Sequence, residues 1–490
     1  MEFINCTRGG VKLCYEGYSY TKKAEKTNQI RWECSQRKTA SCKGAVTTSL
    51  LRDDLHVTVP HNHMGDVATV DAEKVKATMR DRVRDVRARP GQVLAAGITA
   101  ASQDVRLKIG RVDSVRRTLR RQRRGALPAE PATLADVNIT GKWTETTAQN
   151  PQPFLIFDSG TTSAERVLIF SSPEQLRHLA MADRWFMDGN FSMSPSQFQQ
   201  LYVIRAPLGE SAVSCVYALL SDKSQSIYET LLKAVVDNCD AMSYSVDPTT
   251  VVCDFEQAAI NAVTAVLGSH VNVQGCFYHL TQSTWRKVQE LGLKTAYKDD
   301  DNVKHFCGML DALAFLPLND ITEGMNHIRQ NIPTGNGLEA LVDLVDYFDA
   351  TYVTGSIRRI QRPVASHLIQ PLRIRRTPPL FPPSLWNVHD VTLAGADRTN
   401  NLCESWNCGF ASLVGHNHPS LWTLVEALQQ DEALATTAIA QEARGQPPVK
   451  RVKRSTQQLQ SRLLSLCVAR RDNKKTATEM LEGLGYIIRF

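Results

Sequence analysis

The sequence predicts an α/β protein that begins with a small zinc-binding module and continues into a basic helical segment. Three observations support this prediction. Apolar, β-branched runs alternate with helix-compatible segments after residue 154, which is typical of a sheet covered by helices. Two Cys and two His lie close together within residues 1–66. Lys and Arg are concentrated in residues 67–127.

Length and composition set the broad class. The chain has 490 residues, 42% of them hydrophobic, which is enough for two or three domains with their own cores. No apolar run approaches the roughly 18 residues that span a bilayer, and the start of the chain lacks the apolar stretch of a signal peptide. We therefore expect a soluble intracellular protein without a membrane partner. The twelve Cys lack disulfide-framework spacing and are predicted to be reduced.

Residues 1–66 carry a candidate zinc site. Cys34 and Cys42 are separated by seven residues, and His61 and His63 follow them. Two thiolates and two imidazoles suit tetrahedral Zn²⁺, and closing such a site supplies folding energy that a core of this size lacks. The alternative is a loop in which these residues occur by chance.

Residues 67–127 are predicted to be helical and to bind nucleic acid. Between Lys74 and Arg124 there are sixteen Lys or Arg against four Asp. We expect helices at 72–87 and 114–122, with a break at Pro90. Such a charge run can be only a solvated face, but contact with DNA phosphates explains it better because it releases counterions. The arginines predicted to bind DNA are Arg116, Arg117, Arg120, Arg121, Arg123 and Arg124.

A linker is predicted at 128–153, which is rich in Pro, Ala and Thr, and a sheet domain follows it. In residues 154–293 the pattern predicts three strands, a helix, a strand, a helix and a strand. The third strand ends before a capping box at Ser226 and Glu229, which marks a helix start. Alternation of this kind predicts a mixed sheet with helices packed on it.

Three acidic residues are candidates for metal binding. Asp188 follows the apolar run 185–187, Asp254 follows the run 251–253, and Glu404 lies in a helix-like run that continues to Gln430. A buried strand carries its last side chain to the rim of a sheet, where a carboxylate can bind a hard cation. Each acid alone is as readily explained as a solvated carboxylate, and Glu256 is a local rival of Asp254.

These acids lie in motifs that together resemble a known family. The motifs MDGNF, CDFE, CFYH, TNNLCESWN and GHNHP occur in this order between residues 183 and 432. They resemble the Mutator-like (MULE) transposase domain, a DDE enzyme with a ribonuclease-H-like fold. The resemblance implies a ribonuclease-H-like core with Asp188, Asp254 and Glu404 as catalytic acids. It also implies a helical insertion, which we place at 294–396, and a final core helix, which we place within 397–440.

The same resemblance implies the cofactor and the reaction. Two Mg²⁺ or Mn²⁺ ions would neutralise the phosphodiester and generate the nucleophile, with Asp188 bridging them and Asp254 and Glu404 each binding one. The implied function is a transposase that binds terminal inverted repeats, cleaves DNA and joins it to target DNA. The alternative is a domesticated, catalytically silent DNA-binding regulator. Three intact acids favour the enzyme.

The N-terminal module resembles a second family. Gly10, Leu13, Trp32, the pair Gly17-Tyr18 and the run Cys42-Lys43-Gly44 resemble the FLYWCH zinc finger. The resemblance implies a small β-sheet module that binds DNA or protein.

A second zinc site is a further hypothesis. Cys276 and His279 have the spacing of a metal half-site, and His416 and His418 would complete a Cys/His3 set. The alternative is a hydrogen-bonded Cys/His pair at the edge of the sheet.

The region 441–490 is predicted to be a basic tail. Residues 447–454 resemble a nuclear localisation signal, so we expect the protein in the nucleus. Leu459, Leu463, Leu464 and Val468 have helical spacing, which suggests an amphipathic helix for self-association. The transposase resemblance likewise implies a homodimer or a higher oligomer. In the preceding insertion, residues 357–360 are predicted to be helical.

Overall fold

The computed structural model describes residues 1–6, 10–84, 90–163, 165–335, 339–360, 373–395, 398, 401–449 and 453–488. The chain divides into two compact units, residues 1–129 and residues 130–490.

An antiparallel sheet opens the first unit, with its six strands in chain order. They are β1 (Glu2–Asn5), β2 (Val11–Tyr15), β3 (Tyr18–Glu25), β4 (Ile30–Cys34), β5 (Ala45–Thr48) and β6 (His56–Val59). Leu13, Tyr20, Ile30, Trp32 and Val46 form its small core. The indole of Trp32 is fully buried and donates a 3.0 Å hydrogen bond to Thr48 Oγ1. The predicted β module is therefore present.

Four helices complete the first unit among the residues that the structure describes. They are α1 (Val67–Arg84), α2 (Pro90–Ala100), α3 (Gln103–Ile109) and α4 (Val112–Arg124). The sequence predicted two helices and a break at Pro90. Helix α1 ends at Arg84, residues 85–89 lie outside the described part of the chain, and α2 begins at Pro90, where proline is tolerated because the first helical N–H has no intrahelical acceptor. Helices α2 and α3 were not predicted. Met79, Val83, Val93, Leu94 and Leu119 form one of the apolar clusters between these helices.

A seven-stranded mixed sheet organises the second unit, in the order β13-β12-β9-β10-β11-β8-β7. Its strands are β7 (Leu155–Asp158), β8 (Val167–Phe170), β9 (Arg184–Asn190), β10 (Gln200–Leu208), β11 (Ser211–Leu220), β12 (Thr250–Cys253) and β13 (Asn272–Gly275). Strands β9, β12 and β13 run parallel, and the other pairings are antiparallel. The carboxyl ends of β9 and β12 therefore meet at one edge.

The helices of this unit pack against the sheet or form a separate layer. They are α5 (Pro173–Ala180), α6 (Gln225–Ala241), α7 (Gln257–Leu267), α8 (Phe277–Glu290), α9 (Lys294–Asp299), α10 (Asp301–Ala312), α11 (Ile321–Gln330), α12 (Ala340–Phe348), α13 (Pro383–Trp386), α14 (His389–Leu393), α15 (Asn401–Val414), α16 (Leu421–Glu442), α17 (Arg454–Arg471) and α18 (Ala477–Gly485). Trp185 and Val251, on one sheet face, share a core with α5, α6 and α7. Phe186 and Val252, on the other face, cluster with Leu402 of α15.

Helices α8 to α14 form a helical layer with its own core, together with α17 and α18. Leu463 and Cys467 of α17 and Met480, Leu481 and Leu484 of α18 are buried in this core. Residues 454–485 are therefore packed helices rather than the tail predicted from their charge. Their buried side chains are flanked by many polar ones, which obscured the apolar face in the sequence. Leu463, one of the residues considered for self-association, is used inside the fold.

Two further stretches differ from expectation. The hairpin strands β14 (Ser356–Ile360) and β15 (Arg373–Thr377) pair with each other, so residues 357–360 form a strand and not a helix. Residues 134–136 and 141–144, within the predicted linker, form short 3₁₀ helices. Trp143 is buried with its ring 5.2 Å from that of Trp422, so this stretch packs on α16.

None of the helices in the described ranges combines the length and the apolar character needed to cross a bilayer.

Candidate zinc site and candidate active site

Four potential zinc ligands converge at one end of the N-terminal sheet. Cys34 ends β4, Cys42 lies in the loop before β5, and His61 and His63 follow β6. One ligand atom from each residue lies within 4.8 Å of all the others. Cys34 Sγ is 3.4 Å from His63 Nε2, and Cys42 Sγ is 3.3 Å from His61 Nδ1. These separations match the edge of about 3.5 Å that zinc–sulfur and zinc–nitrogen bonds impose on a tetrahedron.

Surrounding groups hold these ligands in place. The hydroxyl of Tyr20 lies 2.8 Å from His61 Nε2, which leaves Nδ1 to face the site. The backbone N–H groups of Gln36 and Gly44 donate to the sulfurs of Cys34 and Cys42. Burial and the neighbouring His63 lower the pKa of His61, which favours the neutral, ligating imidazole. The donor set therefore fits a Cys2His2 zinc site.

Asp188 and Asp254 lie side by side on neighbouring parallel strands. Phe186 pairs with Val252, so two residues further along each strand Asp188 and Asp254 are level and on the same face. Phe186 and Val252 contact Leu402 of α15 on that face. The sheet therefore directs both carboxylates toward the helix that carries Glu404.

His279, on the first turn of α8, joins the two aspartates. Ligand atoms of Asp188, Asp254 and His279 all lie within 4.8 Å of one another. His279 Nδ1 is 2.7 Å from Asp254 Oδ1. Burial by itself would lower the pKa of His279, but hydrogen bonding and charge interactions with Asp254 and Cys276 raise it to about 11. When protonated, the histidine offsets part of the negative charge of the aspartates.

Glu404 lies near the cluster of Asp188, Asp254 and His279 but is not a member of it. Burial, followed by the charge of Asp254, raises the pKa of Asp188 above its usual range. Burial also raises the pKa of Glu404 to about 7. The charge of His279 lowers this pKa, and the charge of Asp254 raises it. Glu404 Oε1 is buried and has no hydrogen-bond partner among the described residues. Carboxylates held together in this way favour binding of a cation.

Asn407 links the strand and the helix of this site. It lies one turn after Glu404 on α15, and its Nδ2 donates a 2.6 Å hydrogen bond to Asp188 Oδ2. Its Oδ1 accepts a 2.8 Å hydrogen bond from Asn190 Nδ2, on the same strand as Asp188. These two bonds orient the Asp188 carboxylate and tie α15 to β9. Asn407 was not predicted as a site residue, although its spacing of three from Glu404 places both on one helix face.

Glu256, the local rival of Asp254, is held by other groups. Its Oε1 accepts a 2.9 Å hydrogen bond from the Tyr228 hydroxyl, and its Oε2 lies 3.4 Å from Lys223 Nζ. The groupings of potential metal ligands within the described residues do not include it.

The four residues of the hypothesised second zinc site do not form a common cluster. In the described part of the chain, the groupings of potential ligands contain neither Cys276, His416 nor His418. His418 Nδ1 lies 3.3 Å from the backbone oxygen of Ser194, and His416 is exposed. His279 instead joins the aspartates. It lies on the first turn of α8, and this helix starts directly after the edge strand β13. The Cys-x-x-His spacing alone could not distinguish these two surroundings.

The six candidate DNA-binding arginines all lie on α4. Trp386 is a core residue whose indole donates to the backbone oxygens of Tyr352 and Phe381. Residues 399 and 400 of the motif before Glu404 lie outside the described residues.

Two family models match the chain, one over the zinc module and one over part of the sheet of the second unit. Residues 3–63 match the FLYWCH zinc finger domain, a range that contains all four zinc ligands. Residues 184–283 match the MULE transposase domain, a range that contains Asp188, Asp254 and His279 but not Glu404. Both family resemblances inferred from the sequence are confirmed. No curated protein matches the chain. The MULE domain implies a transposase or nuclease activity, and the two domains together suggest DNA binding.

Proposed function

We propose that this chain is a DDE transposase that binds the terminal inverted repeats of a DNA element and catalyses metal-dependent cleavage and strand transfer. The observation that carries the proposal is the cluster of Asp188, Asp254 and His279, whose ligand atoms lie within 4.8 Å of one another. Glu404, on a distant helix, is outside this cluster but near enough for charge interactions with Asp254 and His279. In chain order, β9, β10 and β11 are antiparallel neighbours, and β12 and β13 then run parallel to β9. This order fits a ribonuclease-H-like core.

The donor set fits Mg²⁺ or Mn²⁺. Asp188, Asp254 and Glu404 offer carboxylate oxygens, which hard cations prefer over thiols and imidazoles. When bound there, the ions would neutralise phosphate charge and lower the pKa of a water nucleophile. The buried Glu404 oxygen, which makes no hydrogen bond within the described residues, is an acceptor that a cation would satisfy.

The other residues of the site prepare it for a phosphodiester. Asn407 holds the Asp188 carboxylate in one orientation through its amide. His279 supplies a positive charge beside Asp254, which lowers the repulsion that a phosphate would meet from the acids. The burial of Asp188 strengthens every charge interaction in the site because water screens it poorly.

Location and assembly belong to the proposal. Lysines and arginines at 447–454 would direct the protein to the nucleus, although residues 450–452 lie outside the described part of the chain. Joining two element ends requires two active sites, so we expect a homodimer or a higher oligomer.

The experiment is a cleavage assay with the full chain, Mg²⁺ and a labelled duplex that contains the end of the genomic copy. Wild type should nick or join the duplex, and Asp254→Asn should abolish the product while DNA binding persists. Asp240→Asn makes the same chemical change at an exposed position of α6 and should leave cleavage intact. If wild type binds the duplex but does not cut it with any divalent cation, the chain is a silent DNA-binding regulator instead.

A further inference from the structure

Helix α4 carries a row of arginines on the side that faces away from the core. Val115 and Leu119 point inward and pack with the neighbouring helices. Positions i, i+3, i+4 and i+7 lie on one face of a helix, and this face is opposite to that of Val115 and Leu119. The four exposed residues at these positions, the arginine stripe, are Arg117, Arg120, Arg121 and Arg124.

The arginine stripe is not used inside the fold. Within the described residues, its four members have no carboxylate and no hydrogen-bond acceptor as a partner. Arg116, by contrast, is 2.9 Å from Asp113 of the same helix. Like charges three and four residues apart on a helix destabilise it by a few tenths of a kcal/mol, roughly, per pair. Repulsion among the four arginines therefore destabilises α4. A polyanionic partner would neutralise their charges, which explains why they lie on one face.

Helices α3 and α4 are consecutive and joined by a tight turn that contains a glycine, a feature shared with the helix-turn-helix. Only Gly110 and Arg111 separate them, and Gly110 has a φ of +95°, which glycine adopts without strain. Val105 and Ile109 of α3 contact α1 and Val115 of α4 in a common apolar cluster. In a helix-turn-helix the second helix presents its exposed face to the major groove of DNA. Here that helix is α4.

A basic cleft continues the same surface. It has a volume of about 510 Å³ and lies between α4, α1 and the loop after β1. Its lining includes Lys76, Arg80, Arg111 and Arg121, and Arg121 belongs also to the stripe. The one acidic residue of the lining, Glu73, is 3.1 Å from Lys12 and is thereby neutralised. The positive surface therefore extends from α4 to the edge of the zinc module.

We propose that α3 and α4 form a helix-turn-helix and that α4 enters the major groove of double-stranded DNA, with the arginine stripe on phosphates and base edges. This proposal rests on the proposed function and assigns a reading element to residues outside both matched domains. Duplex DNA is favoured over RNA because its major groove admits a helix, whereas that of A-form RNA is too narrow.

The test measures binding of the full chain to a duplex carrying the element's end, at several salt concentrations. The test variant replaces all four stripe residues by glutamine, whose helix propensity is close to that of arginine. The control variant replaces four exposed cations of the second unit by glutamine, namely Lys294, Lys298, Arg462 and Lys474. Circular dichroism and zinc content verify that both variants fold.

We expect the stripe variant to bind at least about a hundredfold more weakly, and the salt slope of log K to flatten by about 0.9 for each lost phosphate contact. The control should retain the affinity and slope of wild type. Methylation of guanine N7, which blocks the major groove, should weaken binding by wild type but not by the stripe variant.

Three results would overturn the proposal. The stripe variant could match the control while wild type still binds and cuts DNA, which would refute the helix-turn-helix and leave the transposase standing. An RNA hairpin could bind more tightly than the duplex. If wild type binds no duplex at all, the proposed function fails together with this inference.

Discussion

The side-chain amide of Asn407 donates a 2.6 Å hydrogen bond to the carboxylate of Asp188 across 219 residues of sequence. This contact fixes where α15 lies on the sheet, because Asn407 also accepts a hydrogen bond from Asn190. Glu404 lies one turn earlier on the same helix face, and its charge interacts with those of Asp254 and His279. The contact between Asn407 and Asp188 therefore positions the helix that carries the third acid, which stands outside the 4.8 Å cluster of Asp188, Asp254 and His279.

Asn407→Ala should lower DNA cleavage by about 10- to 100-fold, since the loss of a hydrogen bond that orients a metal ligand typically costs that much. The decrease should be accompanied by a higher Mg²⁺ concentration at half-maximal rate. Asn407→Asp places a further negative charge beside Asp188 and should raise the pKa of that carboxyl further. Ser412→Ala, at an exposed position of the same helix, is the control. Unchanged Mg²⁺ dependence in Asn407→Ala would remove the orienting role.

The backbone at Gly44 leaves no room for a side chain beside the zinc ligand His61. A Cβ at this position would lie 2.5 Å from His61 Nδ1, against the side of the ring that faces the ligands. Gly44→Ala should therefore displace His61 and weaken zinc binding, measured by competition with a chromogenic chelator. Gly10→Ala, where a Cβ meets nothing within 4 Å, should bind zinc as wild type does. Equal zinc affinity of the two variants would contradict this geometry.

Zinc stoichiometry separates the two sites considered from sequence. We expect one zinc per chain, because the ligand groupings of the described residues include one Cys2His2 set and one set of aspartates with a histidine. Cys34→Ser should reduce the content to none, whereas Cys276→Ala should leave it at one. Two zinc ions per wild-type chain, with one lost in Cys276→Ala, would restore the second site.

Asp311 predicts a pH dependence of stability. It is fully buried on α10, and its Oδ1 accepts a 2.7 Å hydrogen bond from Thr284. Burial raises its pKa to about 7, opposed by that hydrogen bond. An ordinary aspartate in the unfolded chain has a pKa of about 3.9. At a pH between these two pKa values, Asp311 is protonated in the folded state and ionised in the unfolded state. The free energy of unfolding therefore falls as pH rises from about 4 to about 7.

The loss between pH 4 and pH 7 is at most about 4 kcal/mol, at about 1.4 kcal/mol per pKa unit. Asp311→Asn should flatten the dependence, as followed by chemical denaturation at several pH values. The difference between the two proteins isolates this carboxyl from the others. Parallel profiles for wild type and Asp311→Asn would show that Asp311 titrates normally in the folded state.

Much of the site could be predicted from sequence because it follows strand ends. Asp188 and Asp254 each come after a short apolar run, and such runs become buried strands whose ends meet at one edge. The zinc ligands could be predicted because their chemistry and spacing suffice without a fold. Glu404 was a candidate from its helix-like run, but its role as the third catalytic acid came from family resemblance, since 149 residues separate it from Asp254 and local pattern carries no distance over that interval.

Other features depend on packing that the local sequence does not encode. His279 could serve a zinc site or the aspartates equally well until the path of α8 was known. Leu463 and Cys467 are buried by contact with helices far away in the chain, so their charged neighbours were mistaken for a tail. The strand at 357–360 has too few residues for its period to distinguish it from a helix.

The central claim is that Asp188, Asp254 and Glu404 together bind divalent cations. The most direct measurement is titration of the zinc-loaded full chain with Mn²⁺, followed by the paramagnetic resonance signal of the free ion. Wild type and the control Asp240→Asn should bind Mn²⁺ alike, and both Asp254→Asn and Glu404→Gln should bind it much more weakly. Identical titration curves for all four proteins would contradict the claim.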